Sequence, residues 1–238
     1  MIFFDKAWKD DIPAVQLVGI LFCVITLFVY PVPQMFASSA PAVMLGYVSA
    51  AGTLFVLFSL WLLCYLNSGK SIGDLVGITV PDKKTVAGVG VTLPCTLLAV
   101  GAITWHWKYT LNKLDIPFVQ TQKLLEYADI SKPLVFCLLI LMAVIVVPIV
   151  EEFVFRRVLF ELTAKATGFN AAGFITAGVF SAAHGFLAGA PGLFLMGVIL
   201  QWMYSKHRNL AACIMLHGLC NAVAIICVAV VKNGGRFI

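Results

Sequence analysis

The sequence predicts an all-α polytopic membrane protein with about seven transmembrane helices, in a range of six to eight. Two observations predict it. Hydrophobic residues make up 61% of the chain and charged residues 11%, with mean hydropathy +1.00, a balance that no water-soluble surface carries. Apolar stretches near the ~20 residues that cross a bilayer also recur along the whole chain. With no internal repeat and no low-complexity tract, residues 1–238 read as one integral membrane domain.

The expected spans lie near 14–35, 41–66, 86–107, 133–155, 170–187, 191–205 and 209–231. Before the first, Met1 to Pro13 carries Asp5, Lys6, Lys9, Asp10 and Asp11. This mixed charge, followed by an apolar run too long for a signal-peptide core, reads as a retained first span. Asn67 to Thr85, with Gly69, Gly73, Pro81 and Lys83-Lys84, reads as a loop. From Asp115 to Ser131, Phe118, Thr121, Leu125 and Ala128 fall on one helical face, as in an amphipathic segment lying in the interface. Trp105, Trp107 and Tyr109 precede it where an aromatic belt belongs. The fifth and sixth spans are short, and the uncharged link Leu187-Ala188-Gly189-Ala190-Pro191-Gly192 is a candidate re-entrant loop.

Seven cysteines, Cys23, Cys64, Cys95, Cys137, Cys213, Cys220 and Cys227, all fall in expected spans with neither disulfide nor zinc-ribbon spacing, so they read as packing residues. Loop charge sets the orientation. The side of the N-terminus collects ten Lys and Arg and the opposite side six, which places the N-terminus and the end of the fourth span on the cytoplasmic side, most simply of the plasma membrane. The net charge of +5 belongs to this anchoring. Nucleic acid is excluded as a partner because the chain has neither a basic stripe nor a soluble domain.

Charge inside the apolar stretches carries the functional signal. The apolar run Leu134 to Val150 ends in Glu151-Glu152-Phe153-Val154-Phe155-Arg156, and ionised groups at such depth cost roughly 2.5 to 3.5 kcal/mol or more and usually act in a cavity. Glu152 and Arg156 are i,i+4 and read as an ion pair that makes insertion tolerable. Glu151 lies about 100° round the helix, so it need not share Glu152's partner. Pro148 withholds a backbone donor from the Val144 carbonyl and bends the helix, aiming Glu151 inward. Phe180 and His184 are i,i+4 in the fifth span, as are His217 and Asn221 in the last. A lone histidine in a core is more often a satisfied packing residue. Two of only four, both in apolar spans beside an acidic pair, point to a site. His106 and His207 read as solvated neighbours of the headgroups and of Lys206 and Arg208.

These motifs together resemble the CPBP family of intramembrane proteases, the type II CAAX prenyl endopeptidases. The family signature is Glu-Glu-x-x-x-Arg, then Phe-x-x-x-His, then His-x-x-x-Asn or Asp, on three membrane helices. Here it stands as Glu151-Glu152 with Arg156, Phe180 with His184, and His217 with Asn221, within a motif-bearing core at 133–231. One departure is Arg157, where family members often carry glycine after the motif arginine.

The resemblance implies an endopeptidase that cleaves a lipidated or membrane-associated peptide or protein, either in CAAX-type C-terminal processing or in maturation of, or immunity to, small secreted peptides. It implies Glu151 as general base assisted by His184, His217 and Asn221 as oxyanion donors, and Glu152, Arg156 and Phe180 in support. Zn2+ is the open cofactor question. Glu151, His184 and His217 would suit a catalytic zinc, but the His-Glu-x-x-His helix of zinc proteases is absent, and a metal-free reaction is the favoured expectation. The alternative function is a non-catalytic membrane scaffold that regulates a sensor or processing partner. A transporter is disfavoured because the polar residues are confined to one half of the chain.

Overall fold

A computed structural model of the chain describes residues 78–119 and 133–232. The spans expected over 14–35 and 41–66, and residues 120–132 of the interfacial segment, lie outside these. All regular structure among the described residues is helical.

Helix α1 (Lys83–Lys113) starts where the Asp82 carboxylate accepts the Thr85 N–H at 2.7 Å, satisfying one orphan donor of the first turn. Hydrogen bonds from the Thr85 side chain and backbone hold the Asp82 carboxyl below the usual carboxylate range. At 31 residues α1 is about 46 Å long, ample for a bilayer. It contains the third expected span. The chain leaves it through a turn, and Ile116 to Val119 are not helical, so the expected amphipathic helix does not begin at Asp115.

The next rod runs without a break through α2 (Pro133–Ile140), a π-helical stretch (Leu141–Val146), α3 (Val147–Glu152), a second π-helical stretch (Phe153–Leu159) and α4 (Phe160–Thr167). The fourth span was expected to end near 155. The helix instead continues past its charges, because Phe153, Val154, Phe155, Val158 and Phe160 keep the rod apolar and buried there. Gly168, at φ 83, ends it with a backbone conformation that costs glycine no Cβ clash.

Helix α5 (Phe169–Ala183) follows, 15 residues or about 22 Å, shorter than the span expected over 170–187. Gly185, at φ 55, then turns the chain. A 3-10 turn (Leu187–Gly189) leads directly into α6 (Ala190–His207), with Pro191 in the first helical turn, where its missing donor costs nothing. The link expected as a possible re-entrant loop is therefore a tight, hydrogen-bonded corner: Ser181 donates to the Ala190 carbonyl at 2.7 Å and the Trp107 indole to the Leu187 carbonyl at 2.9 Å. After Arg208, in the left-handed region, α7 (Leu210–Lys232) completes the described chain.

Three helices among the described residues are long and apolar enough to cross a membrane: Lys83–Lys113, Leu187–His207 and Leu210–Val231. Phe169–Ala183 is apolar but shorter. The chain is read as an integral membrane protein on this basis.

Helices α5 and α6 pack most extensively, and α1 lies across α6 and α7. The α5–α6 crossing closes at Gly197, where a Cβ would stand 2.9 Å from the Ala177 Cα, the small-residue approach common between membrane helices. At one end of the bundle Asn209 exchanges hydrogen bonds with the backbone of Thr79. There the His207 ring lies against α1, where a Cβ on Gly88 would stand 2.7 Å from Nε2. His207 is thus half-buried and packed, not the solvated residue expected. The core is built from Phe153, Phe155, Val158, Phe180, Leu200, Met203, Leu210 and Leu216, and it surrounds the charged motif.

Candidate active site

The second π-helical stretch of the rod begins directly after Glu152, and both carboxylates are buried, Glu151 at 5% and Glu152 at 0% exposure. Glu152 lies 3.1 Å from the Arg156 Nε, as its i,i+4 spacing predicts. Its other oxygen, Oε1, lies 2.7 Å from His217 Nδ1 on α7, 65 residues away in sequence. Glu151 reaches the same imidazole from the far side, with Oε2 3.7 Å from His217 Nε2. The two carboxylates therefore face opposite edges of one ring, Glu152 within hydrogen-bond distance and Glu151 beyond it.

Phe180 is the hub of the surroundings. It is fully buried, and its ring meets Phe155 edge-on at 5.1 Å, His184 at 4.7 Å and His217 at 5.8 Å between centroids. The Arg156 guanidinium lies over the Phe180 face at 4.8 Å and donates to the Gly197 carbonyl at 3.3 Å. A planar cation can stack and hydrogen-bond at once, which a lysine cannot. The close crossing at Gly197 brings that carbonyl within reach. The acceptor had no side-chain signal in the sequence.

His184 caps the C-terminus of α5, and its Nδ1 lies 2.8 Å from the Phe180 carbonyl. A carbonyl only accepts, so Nδ1 carries a proton. No hydrogen bond or ion pair joins His184 to Glu151 among the described residues. Asn221 donates through Nδ2 to the Ala143 carbonyl at 2.8 Å, on the first π-helical stretch, and not toward His217. An asparagine amide has two N–H groups, so one remains.

Three buried atoms of the motif have no hydrogen-bond partner: Glu151 Oε2, Glu152 Oε2 and Arg156 NH1. Glu152 Oε2 sits close to Arg156 without the alignment of a hydrogen bond. Orphaned atoms of this kind are rare in a core; the others among the described residues are both amide atoms of Gln201 and Nε2 of His207, on α6. Glu151, His184 and His217 do not form a metal-ligand set as placed: no group of three His, Cys, Asp or Glu side chains among the described residues is positioned to hold a metal ion, and His217 Nδ1 is engaged by Glu152.

Residues 133–223 match the family model for Rce1-like, type II CAAX prenyl endopeptidases. The match begins at the first residue of α2 and ends two residues after Asn221, so it takes in Glu151, Glu152, Arg156, Phe180, His184, His217 and Asn221. The match agrees with the resemblance drawn from the motifs. No curated protein and no solved structure matches the chain. Cys220, between His217 and Asn221, is half-buried against the core, in keeping with a packing role.

Proposed function

We propose that the protein is an intramembrane endopeptidase that hydrolyses a peptide bond in a membrane-associated, CAAX-type prenylated protein or peptide. The observation that carries this reading is the pair of adjacent buried carboxylates closing on the two nitrogens of His217, with Glu151 Oε2 still unpartnered. The Rce1-like match over the same helices supports the substrate class.

Hydrolysis of an amide needs a base for water and donors for the oxyanion. Glu151 takes the proton as the water oxygen attacks the carbonyl carbon. It returns that proton to the nitrogen as the C–N bond breaks. His184, with its Nδ1 proton committed to the Phe180 carbonyl, offers Nε2 as a second acceptor that orients the water. His217, fixed by Glu152, and the free N–H of Asn221 face the developing oxyanion. Lys83, Lys84, Lys165, Lys206 and Arg208 favour a cytoplasmic mouth.

The test is Glu151→Gln, which keeps size and removes the base. Purified native protein in lipid nanodiscs is expected to cleave a farnesylated CAAX peptide, and the variant to do so at least ~10²-fold more slowly with unchanged yield of folded protein. Full activity in the variant would overturn the assignment. Equal loss of abundance and no cleavage by the native chain would favour a scaffold. A stoichiometric zinc whose removal abolishes cleavage would reassign Glu151 and the histidines as ligands.

A further inference from the structure

Pro148 has a consequence that reaches across the bundle. In the first π-helical stretch the Val147 N–H bonds to the Met142 carbonyl, one residue further back than in an α-helix. That removes the donor the Ala143 carbonyl would have in α register. The donor it would have in π register is the N–H of residue 148, which proline lacks. Ala143 is thus deprived of both, and Asn221 Nδ2 supplies the replacement at 2.8 Å. The neighbouring Val144 carbonyl loses its α-register donor to the same proline, which leaves the Ile149 N–H of the π register as its only donor within the rod. It points at α7 one turn earlier, at Gly218, where any Cβ would collide with its oxygen. Two carbonyls without their α-register donors therefore meet two positions of α7, one and four residues after His217, whose ring lies between Glu151 and Glu152.

We infer that Pro148, Gly218 and Asn221 form a register latch: the carbonyls released by the proline seat the last helix at Gly218 and Asn221, and this sets His217 across the two glutamates. Pro148 and Gly218 are positioning residues in this account, and one N–H of Asn221 serves the latch while the other is left for the reaction. The geometry explains why a glycine directly follows His217. A rotation of α7 of even one residue, about 100°, would carry the imidazole away from both carboxylates. Burial of an unpaired backbone carbonyl in an apolar bundle is costly, so the latch favours one register over its neighbours.

The inference rests on the proteolytic reading for its effect on turnover, but the latch itself is testable without a substrate. The first measurement is a double-mutant cycle on thermal unfolding in detergent, with Pro148→Ala, Asn221→Ala and the double variant. Alanine at 148 restores an N–H to the rod, so Asn221 is expected to matter less in that background, and the two effects to be clearly non-additive. Additive effects would overturn the latch whether or not the chain cleaves anything. The second measurement is Gly218→Ala in the cleavage assay, with Gly101→Ala, whose Cβ meets nothing within 4 Å, as control. Gly218→Ala is expected to lower kcat at least ~10-fold with KM changed less than about 3-fold, as for loss of alignment, and Gly101→Ala to leave both as they are. If Gly218→Ala retains native kcat, the latch does not set His217. Should it fail to fold, Gly218→Ala with Pro148→Ala is measured instead: the restored N–H draws the Val144 carbonyl back into the rod and is expected to recover folded protein, and no recovery counts against the latch.

Discussion

Two glutamate–arginine pairs follow each other on one rod, and they differ in almost everything but spacing. Glu152–Arg156 and Arg157–Glu161 are both i,i+4. The second is the better ion pair by geometry, at 2.7 Å and hydrogen-bonded, with Tyr204 of α6 donating to the same Glu161 oxygen at 3.2 Å. The first is longer at 3.1 Å and more deeply buried, yet each member keeps an atom without a hydrogen bond. What the first pair has instead is partners on other helices: His217 on α7, and Phe180 and Gly197 on α5 and α6. Good pairing marks the structural pair. Incomplete pairing, together with contacts made on three other helices, sets the first pair apart and is what the proposed reaction needs of it.

The largest effect that would sharpen this contrast is expected from Glu152→Ala. It leaves the Arg156 guanidinium buried without its counter-charge and releases His217 Nδ1 at once. Breaking a buried pair by removing one partner costs about 3 to 5 kcal/mol. Both the melting temperature in detergent and the rate per folded molecule should fall. A loss of stability with an unaltered rate per molecule would show that the Glu152–His217 contact does not serve turnover.

Glu161→Gln should give the opposite pattern. The pair is partly exposed, 15% for Arg157 and 12% for Glu161, and a glutamine can still accept from Tyr204. The expected loss is about 1.5 to 3 kcal/mol, the range for a hydrogen bond to a charged group, with turnover per folded molecule within about 2-fold of native. A large drop in turnover at unchanged stability would erase the distinction between the pairs.

The sequence made the three motifs legible because each is local: i,i+4 spacing on a helix brings Glu152 to Arg156 and Phe180 to His184 without any knowledge of the fold. Hydropathy likewise placed α6 and α7 to within two residues at either end, and α1 contains its expected span but runs six residues past it. The helix runs beyond the expected end of the fourth span, because two charges that neutralise each other do not end a helix whose next residues are Phe153, Val154 and Phe155. What the sequence could not supply were the contacts between helices. His217 between both glutamates, Arg156 on the Gly197 carbonyl, and Asn221 on Ala143 depend on crossing points set by small residues and on a π register that no periodicity announces. Pro148 was the one visible clue, and in a straight α-helix it pointed to Val144 alone.

Tyr204→Phe should have the smallest effect and tests the comparison most finely. The hydroxyl donates to Glu161 at 3.2 Å, toward the long end for an O–H donor, and the same oxygen already takes the Arg157 N–H at 2.7 Å. Phenylalanine keeps the ring and its packing, and Glu161 keeps its cation, so no buried charge is orphaned. The loss is then one modest hydrogen bond, about 0.5 to 1.5 kcal/mol, read as a small drop in melting temperature, with kcat and KM as in the native chain. Tyr204 also lies on α6 seven residues after Gly197, whose carbonyl holds Arg156. A 10-fold fall in kcat from so mild a change would therefore mean that α6 transmits strain from the second pair to the first. The two pairs would then be one functional unit, and the geometric contrast between them would no longer separate structure from site.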